Sequence, residues 1–329
     1  MVLTQTKNAI ELREKGYTVL KNILNPELDI QPVINENISV LKKLIAQLNS
    51  EGKISNYYDG LYGIDLLNKF ISDTGNEFFD YFNIFLNFHR DPTENDAMYI
   101  HPSMFNLLRN DRLLDSLEQF LGPDIAVNPL HITRIKPPQK NLPTDVKLHP
   151  DGSISKTNWH QDLWAFEDSA NDTNVITVWV PITEANEKNG CLVVVPESHK
   201  LGELSTHCAP SETNLGFKGI PDQIVSSDRV TLPANPGDII ILDKLIQHCS
   251  LENKSDQLRW SYDLRYQSAH QPAGQGIRQP WLARSKSNPD SVFKTFEEWS
   301  NYWSAIKQTE YDNGLTGWTR FSLNDPLCF

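Results

Sequence analysis

The sequence predicts a mainly β fold that is supported by helices in its first third. From about residue 125 the apolar residues come in short runs separated by proline, glycine and asparagine. Such runs are typical of an antiparallel sandwich or barrel and not of βαβ units. We therefore expect a single domain, in which 1–124 is mostly helical support, 125–268 forms the β core and 269–329 forms a C-terminal arm or lid.

The expected strands of the core are short and rich in β-branched and aromatic residues. They read "IAVNPLHITRIK", "NVITVWVPI", "GCLVVVP", "RVTLPA", "GDIIILD" and "RWSYDLRY". An earlier segment with the same character, "YTVLKNIL", predicts one strand within the helical region. Helices are thus expected to come first, with one early strand among them.

Helices are predicted where apolar residues recur every three or four positions and a glycine follows. Two N-terminal segments end in this way, "TQTKNAIELREKG" and "ISVLKKLIAQLNSEG", and "DRLLDSLEQFLG" ends at Gly122. Near the C-terminus, "FEEWSNYWSAIKQTEY" predicts a late helix. We interpret the tail tryptophans Trp299, Trp303 and Trp318 as packing or lid residues.

Charge limits the possible partners, and the cysteines and apolar runs indicate the compartment. The chain has 30 Lys plus Arg against 42 Asp plus Glu, a formal charge of −12, which argues against nucleic acid and against an anionic membrane surface. Its four cysteines show no CxxC spacing, so we expect free thiols in a reducing compartment. With no apolar leader and no run of 18 apolar residues, the expectation is a cytoplasmic protein.

The segment "TNWHQDLWAF" carries the first candidate ligands of a metal. In an extended strand His160 and Asp162 project from one face and Gln161 from the other. A third ligand is available as His248 in "PGDIIILDKLIQHCS". Two imidazoles and one carboxylate on one face of Fe(II) leave three positions open, enough for a bidentate oxo-acid together with dioxygen.

An oxo-acid such as 2-oxoglutarate also needs a cation for its distal carboxylate, preferably the planar fork of arginine. Arg259 begins "RWSYDLRY", and a hairpin across "LENKSDQ" brings it back alongside His248. Ser250 shares the face of His248 and can donate a hydroxyl hydrogen bond. Arg134 or Lys136 are the alternative cations.

Several other side chains are candidates for the 2-oxoglutarate or substrate site, with an ordinary structural role as the alternative. On "NPLHITRIK", His131 and Thr133 share a face and can reach 2-oxoglutarate or substrate. Trp164 and Phe166 wall a substrate pocket or belong to the core. Arg265 and Arg278 are interpreted as surface charges, with the binding of an anionic substrate as the alternative. Structural or solvated roles are expected for His149, His199, His207 and His270.

Three segments resemble the phytanoyl-CoA dioxygenase (PhyH) family of Fe(II)/2-oxoglutarate oxygenases. They are "EKGYTVLKNIL", "VWVPITEANEKNGCLVVVPESHK" and "HCSLENKSDQLRWSYDLRY", within a similarity that runs from about residue 8 to 268 and is strongest from 157 to 268. One departure is "PESH", where the family usually reads PGSH, so Glu197 stands where glycine is common.

The resemblance implies roles for individual residues. Iron is bound by His160, Asp162 and His248, and the 2-oxoglutarate carboxylate is held by Arg259 and Ser250. Trp179 in "VWVPI" lines the same pocket, and Gln161 occupies the middle position of the HQD motif. The fold implied is a double-stranded β-helix, a cupin-like jelly roll.

The resemblance also implies an activity. Using Fe(II), 2-oxoglutarate and O2, the enzyme hydroxylates, desaturates or oxidatively cyclises a small molecule, releasing succinate and CO2, in natural-product or amino-acid metabolism. A long acyl-CoA is not expected, because no basic cluster for its phosphates is visible. The alternatives are a zinc-dependent hydrolase, in which Arg259 and Ser250 have no role, and a non-catalytic jelly-roll protein that binds a metal or ligand.

Overall fold

The computed structural model describes residues 6–84, 93, 96–142, 153–209, 219–314 and 320–328. The α-helices are α1 Lys7–Lys15, α2 Gln31–Ser50, α3 Gly63–Thr74, α4 Pro102–Leu108, α5 Asp111–Leu121 and α6 Phe296–Asn313. The strands are β1 Tyr17–Leu20, β2 Ile125–Val127, β3 Ile132–Lys136, β4 Thr157–His160, β5 Val175–Pro181, β6 Leu192–Val194, β7 Val230–Leu232, β8 Ile239–Asp243, β9 His248–Ser250, β10 Arg259–Ser268 and β11 Trp281–Arg284.

The strands form two sheets, and every pairing between these strands is antiparallel. The major sheet has the order β1-β8-β5-β10-β2-β11, with β3 paired to β10 beside β2. The minor sheet has the order β4-β9-β6-β7. Trp179 and Ile240 of the major sheet share an apolar cluster with Leu192 and Val194 of the minor sheet. The prediction of a mainly β fold with antiparallel sheets and helices is therefore confirmed.

The predicted strand "IAVNPLHITRIK" is wrong in one respect, because it forms two strands. β2 and β3 both pair with β10, and the chain between them turns at Asn128. The main-chain N–H of Asn128 donates to Arg265 O at 2.9 Å, and its side chain accepts from the N–H of Leu130 at 2.9 Å. Proline follows Asn128 and offers no N–H, which favours a break in the ladder at this point.

The N-terminal support follows its predicted pattern. The side chain of Thr6 caps α1, and the helix ends at Gly16, which has φ 82° and donates its N–H to Leu12 O. A Cβ on Gly16 would lie 2.5 Å from Nδ1 of His199, so glycine is needed there both for its conformation and for the close approach. β1 confirms the early strand, and it joins the edge of the major sheet beside β8.

The C-terminal region adds both a strand and a helix. β11 extends the major sheet at β2, which the sequence did not predict. Thr295 and Glu298 form a capping box at the start of α6. Trp299 and Trp303 of this helix are buried in the main core, in agreement with a packing role. Trp318 lies outside the described residues.

The prediction of four free thiols is wrong for two of them. Cys208 and Cys328 form a disulfide across 120 residues of chain, while Cys191 and Cys249 are free and buried. The pair meets because the C-terminal segment returns to the loop before Cys208, where the N–H of Ser322 donates to His207 O at 2.7 Å. Contacts at such a distance along the chain leave no signature in cysteine spacing.

None of the helices in the described part of the chain combines the length and the apolar composition needed to cross a bilayer.

Candidate metal centre

The predicted ligands meet where β4 ends and β9 begins. His160 and His248 are partners across this antiparallel pair, and Asp162 lies just beyond β4. Oδ1 of Asp162 is 3.6 Å from Nε2 of His160 and 3.9 Å from Nε2 of His248. All three ligand atoms lie within 4.8 Å of one another, and all three residues are buried. Among the residues that the structure describes, this is the one group of three His, Cys, Asp or Glu side chains close enough to hold a metal ion.

The expectation of an extended chain through Asp162 is wrong. β4 stops at His160, Gln161 stays extended with φ −118° and ψ 131°, and a single 3-10 turn begins at Asp162. Because Gln161 is extended, Asp162 still lies on the same side as His160. The turn, which the sequence did not indicate, ends the strand at the site.

Hydrogen bonds to main-chain carbonyls orient both imidazoles. Nδ1 of His160 lies 2.8 Å from Asn158 O, and Nδ1 of His248 lies 3.1 Å from Ile246 O. A carbonyl only accepts, so each Nδ1 carries a proton, and Nε2 is the nitrogen of each ring that is left to bind a metal. Burial, followed by the neighbouring His160, lowers the pKa of His248 to about 4. This ring is therefore neutral near pH 7, the state that a metal ligand requires.

The carboxylate of Asp162 has a partner on each oxygen. Nη2 of Arg265 donates to Oδ1 at 2.8 Å, and the Thr177 hydroxyl donates to Oδ2. Burial raises the pKa of Asp162, but the charge of Arg265, followed by His248, outweighs it and holds the pKa well below its usual range. The carboxylate is thus ionised and ready to bind a cation.

A second polar region, rich in cations, adjoins the ligands in the same cavity. The lining includes His160, His248, Ser250 and Arg259. Nε of Arg259 donates to Gly190 O at 3.0 Å, and its guanidinium lies over the ring of Trp179, 5.7 Å from the centroid. Arg259 is fully buried, which lowers its pKa to about 10, still high enough to keep it charged near pH 7.

Lys136 lies in this region as well. Its Nζ donates to the Ser250 hydroxyl, and the side chain is fully buried. Burial, followed by the charges of Arg259 and Arg134, pushes the pKa of Lys136 well below its usual value. Arg134 is paired with Asp263 at 2.9 Å. Three basic side chains thus surround one acid, an arrangement suited to an anion that supplies the missing negative charge.

Two predicted cofactor contacts are not brought to this cavity. The side-chain amide of Gln161 donates to Leu245 O at 2.8 Å and accepts from the N–H of Ser205 at 2.7 Å. Thr133 donates to Phe82 O at 3.1 Å and lies opposite Tyr262, on the other face of β3 from Arg134. Both residues support the surrounding loops.

The arginines expected at the surface are buried. Arg265 contacts Asp162, and Arg278 forms a buried ion pair with Glu310 of α6. The alternation of β10 places Arg265 on the same face as Arg259, but it gave no signal that Arg265 contacts Asp162. Thr177 had no signal in the sequence. It reaches Asp162 only because β5 lies next to β10.

The remaining candidates have structural roles. His131 is buried, and its Nδ1 accepts from the N–H of Arg265 at 3.3 Å. Trp164 and Phe166 belong to the main core. His207 accepts from the N–H of Gln161 at 3.1 Å and so supports the chain between His160 and Asp162. His199 bonds to a main-chain carbonyl and His270 is exposed, whereas His149 lies outside the described residues.

Comparison with known proteins identifies the family. A family model described as phytanoyl-CoA dioxygenase (PhyH) matches residues 70–261, which is more than half of the chain. The chain belongs to the phytanoyl-CoA dioxygenase family. The peroxisomal phytanoyl-CoA dioxygenase of Homo sapiens is 26% identical over 265 residues, covering 78% of this chain. The alignment spans 66% of the human protein, slightly less than two thirds of its length.

Solved structures agree with this assignment at the level of fold. A non-heme monooxygenase, ThoJ in its apo form, has a TM-score of 0.54 and 18% identity, covering 93% of this chain and 98% of that protein. Its Ni complex has a TM-score of 0.51 and 15% identity, covering 94% and 100%. At these identities the likeness shows the fold, and it confirms the cupin-like core.

The departure from the family's PGSH motif is accommodated in the backbone. Glu197 has φ 68°, in the left-handed region where glycine is favoured. The turn keeps the conformation that suits glycine, although the residue has changed. The carboxylate of Glu197 pairs with exposed Lys200 and does not face the metal ligands.

Proposed function

We propose that this protein is an Fe(II)/2-oxoglutarate-dependent oxygenase of a small molecule. The observation that carries the proposal is the shared cavity, which places His160 and His248 beside Ser250 and Arg259. A metal site alone is compatible with several reactions. A metal site that adjoins a buried cluster of cations is suited to a ligand that binds the metal at one end and carries a carboxylate at the other.

The donor set fits Fe(II). Two imidazoles and one ionised carboxylate, held on one face, form the arrangement typical of non-heme iron oxygenases. His160, Asp162 and His248 would hold the ion through Nε2, Oδ1 and Nε2. Bound Fe(II) supplies the activation of O2, coupled to the conversion of 2-oxoglutarate into succinate and CO2.

The chain's own residues would bind the distal carboxylate of 2-oxoglutarate. Arg259 offers a planar guanidinium that Gly190 O and the hydroxyl of Ser261 already orient. Ser250 and Lys136 form a second donor pair on strands β9 and β3. A carboxylate placed here would also favour the charged form of Lys136, since an opposite charge raises the pKa of a buried amine. Trp179 would form the apolar wall beneath Arg259.

The substrate is proposed to be a small molecule from natural-product or amino-acid metabolism, and not a nucleic acid or a membrane. We keep the prediction of one domain with a C-terminal arm. A cytoplasmic location also remains a prediction, and the Cys208–Cys328 disulfide weighs against it because cytosolic thiols are kept reduced. The zinc-hydrolase alternative is weaker, because it gives the buried cluster of Arg259 and Lys136 no role.

Succinate release tests this proposal. Purified protein with Fe(II), 2-oxoglutarate and O2 is expected to form succinate, and a matching small molecule in a substrate panel should raise the rate. Omission of Fe(II) or of O2, or replacement of Fe(II) by Zn(II), should abolish succinate formation. Hydrolysis of a panel compound by the Zn(II) form, with no consumption of 2-oxoglutarate, would instead establish the hydrolase.

A further inference from the structure

We propose that Arg265 and Thr177 are positioning residues that make Asp162 bind the metal through a single oxygen. The inference rests on the proposed function only in requiring a metal at the His160, Asp162 and His248 site. It concerns how the carboxylate is held, and neither Arg265 nor Thr177 is itself a metal ligand.

The two oxygens of Asp162 lie in different surroundings. Oδ1 is the atom that lies 3.6 Å and 3.9 Å from the two imidazole Nε2 atoms, and it accepts from Nη2 of Arg265 at 2.8 Å. Oδ2 accepts from the hydroxyl of Thr177. The metal-facing oxygen is therefore fixed, and the other oxygen is held by a different strand.

The two holding residues form one rigid unit of the major sheet. Thr177 on β5 and Arg265 on β10 are direct partners across this antiparallel pair. The guanidinium of Arg265 is further anchored by Nη1, which donates to Asp263 O at 3.2 Å. The side chains of Arg265 and Asp162 are 4% and 3% exposed, so water does not loosen the contact. Asp162 itself lies on the minor-sheet side, and this pair fixes its carboxylate across the sandwich.

Single-oxygen binding matters because of the number of metal positions. An octahedral ion has six positions, and three protein atoms leave three open, two for the oxo-acid and one for O2. If both oxygens of Asp162 bound the ion, only two positions would remain, and the oxo-acid would fill both. The hydroxyl of Thr177 binds Oδ2 and so keeps this oxygen from binding the ion. The third metal position would then stay open for O2.

The matched variants Thr177→Val and Thr177→Ser test this directly. Valine keeps the shape of threonine and removes the hydroxyl, whereas serine keeps the hydroxyl. Neither substitution changes the charge of the site. Mn(II) bound without 2-oxoglutarate serves as the probe, because relaxation of water protons reports the number of exchangeable waters on the ion.

The expected result is a loss of about one coordinated water of three in Thr177→Val, and so a relaxation enhancement lower by roughly a third. The Thr177→Ser variant should match the wild type. Equal enhancement in the valine and serine variants would overturn the positioning role of Thr177. Absence of Mn(II) binding in the folded wild type would contradict the metal site itself, so the two failures are distinguishable.

Arg265→Lys provides the second test and covers the case in which the valine variant does not fold. Lysine keeps the positive charge near the ion but cannot donate to both Asp162 and the Asp263 carbonyl in the same planar geometry. Partners of metal ligands typically change metal affinity by 10- to 100-fold, so we expect the Mn(II) dissociation constant to rise about tenfold or more. An unchanged constant would remove Arg265 from the proposal.

Discussion

Asp162→Ala is expected to abolish Fe(II) binding at the site and all succinate formation. The substitution removes the only carboxylate among the three ligands His160, Asp162 and His248. The two imidazoles that remain are too few ligands to hold the ion. Metal affinity, measured anaerobically by calorimetry, and succinate release are the readouts. Tight Fe(II) binding with retained turnover would contradict the ligand assignment.

The same substitution also affects stability, because Arg265 loses its partner. An unpaired buried charge costs about 3–5 kcal/mol, and the Arg265 side chain is only 4% exposed. The matched control is therefore the double variant Asp162→Ala/Arg265→Met, which removes both charges. We expect it to unfold at a higher denaturant concentration than Asp162→Ala while remaining unable to bind Fe(II). A double variant no more stable than the single one would show that the ion pair is not what Asp162→Ala disrupts.

Arg259→Leu is expected to raise the 2-oxoglutarate requirement steeply. Removing one partner of a buried, hydrogen-bonded charge pair costs about 2–5 kcal/mol, which corresponds to roughly thirty- to several-thousand-fold in the 2-oxoglutarate dissociation constant. The measurement is 2-oxoglutarate affinity with Fe(II) present and O2 excluded. Fe(II) affinity in the absence of 2-oxoglutarate should change little, since Arg259 touches none of the three ligands.

Lys136→Met is the matched comparison for Arg259→Leu, because it removes the basic group that contacts Ser250 in the same polar region. A larger effect in Arg259→Leu is expected, since the guanidinium can bind a carboxylate through two donors and Lys136 already has a depressed pKa. An unchanged requirement in Arg259→Leu together with a steep rise in Lys136→Met would assign the carboxylate to the lysine.

The periodicity of the sequence was sufficient to locate most elements of the fold. Glycines that follow the helical pattern marked the ends of α1 and α5, and short runs rich in β-branched and aromatic residues located β5, β8 and β10. β10 was predictable because polar side chains alternate with large apolar ones along its ten residues. The break between β2 and β3 was missed, although the Asn-Pro pair at 128–129 offered a local signal for it.

The grouping of His160, Asp162 and His248 was predictable because these residues lie on, or two residues beyond, strands with a clear pattern. The partners of those ligands were not. Thr177 and Arg265 meet Asp162 through the pairing of β5 with β10, and strand order is a tertiary property that spacing does not encode. The disulfide was missed for the same reason, since Cys208 and Cys328 are joined by the return of the C-terminus.

Anaerobic titration of the metal-free protein with Fe(II) and then with 2-oxoglutarate tests the central claim most directly. We expect a weak charge-transfer band in the middle of the visible spectrum that requires both components, is absent in Asp162→Ala/Arg265→Met, and needs far more 2-oxoglutarate in Arg259→Leu. A folded protein that binds Fe(II) at this site but develops no such band at saturating 2-oxoglutarate would contradict the account.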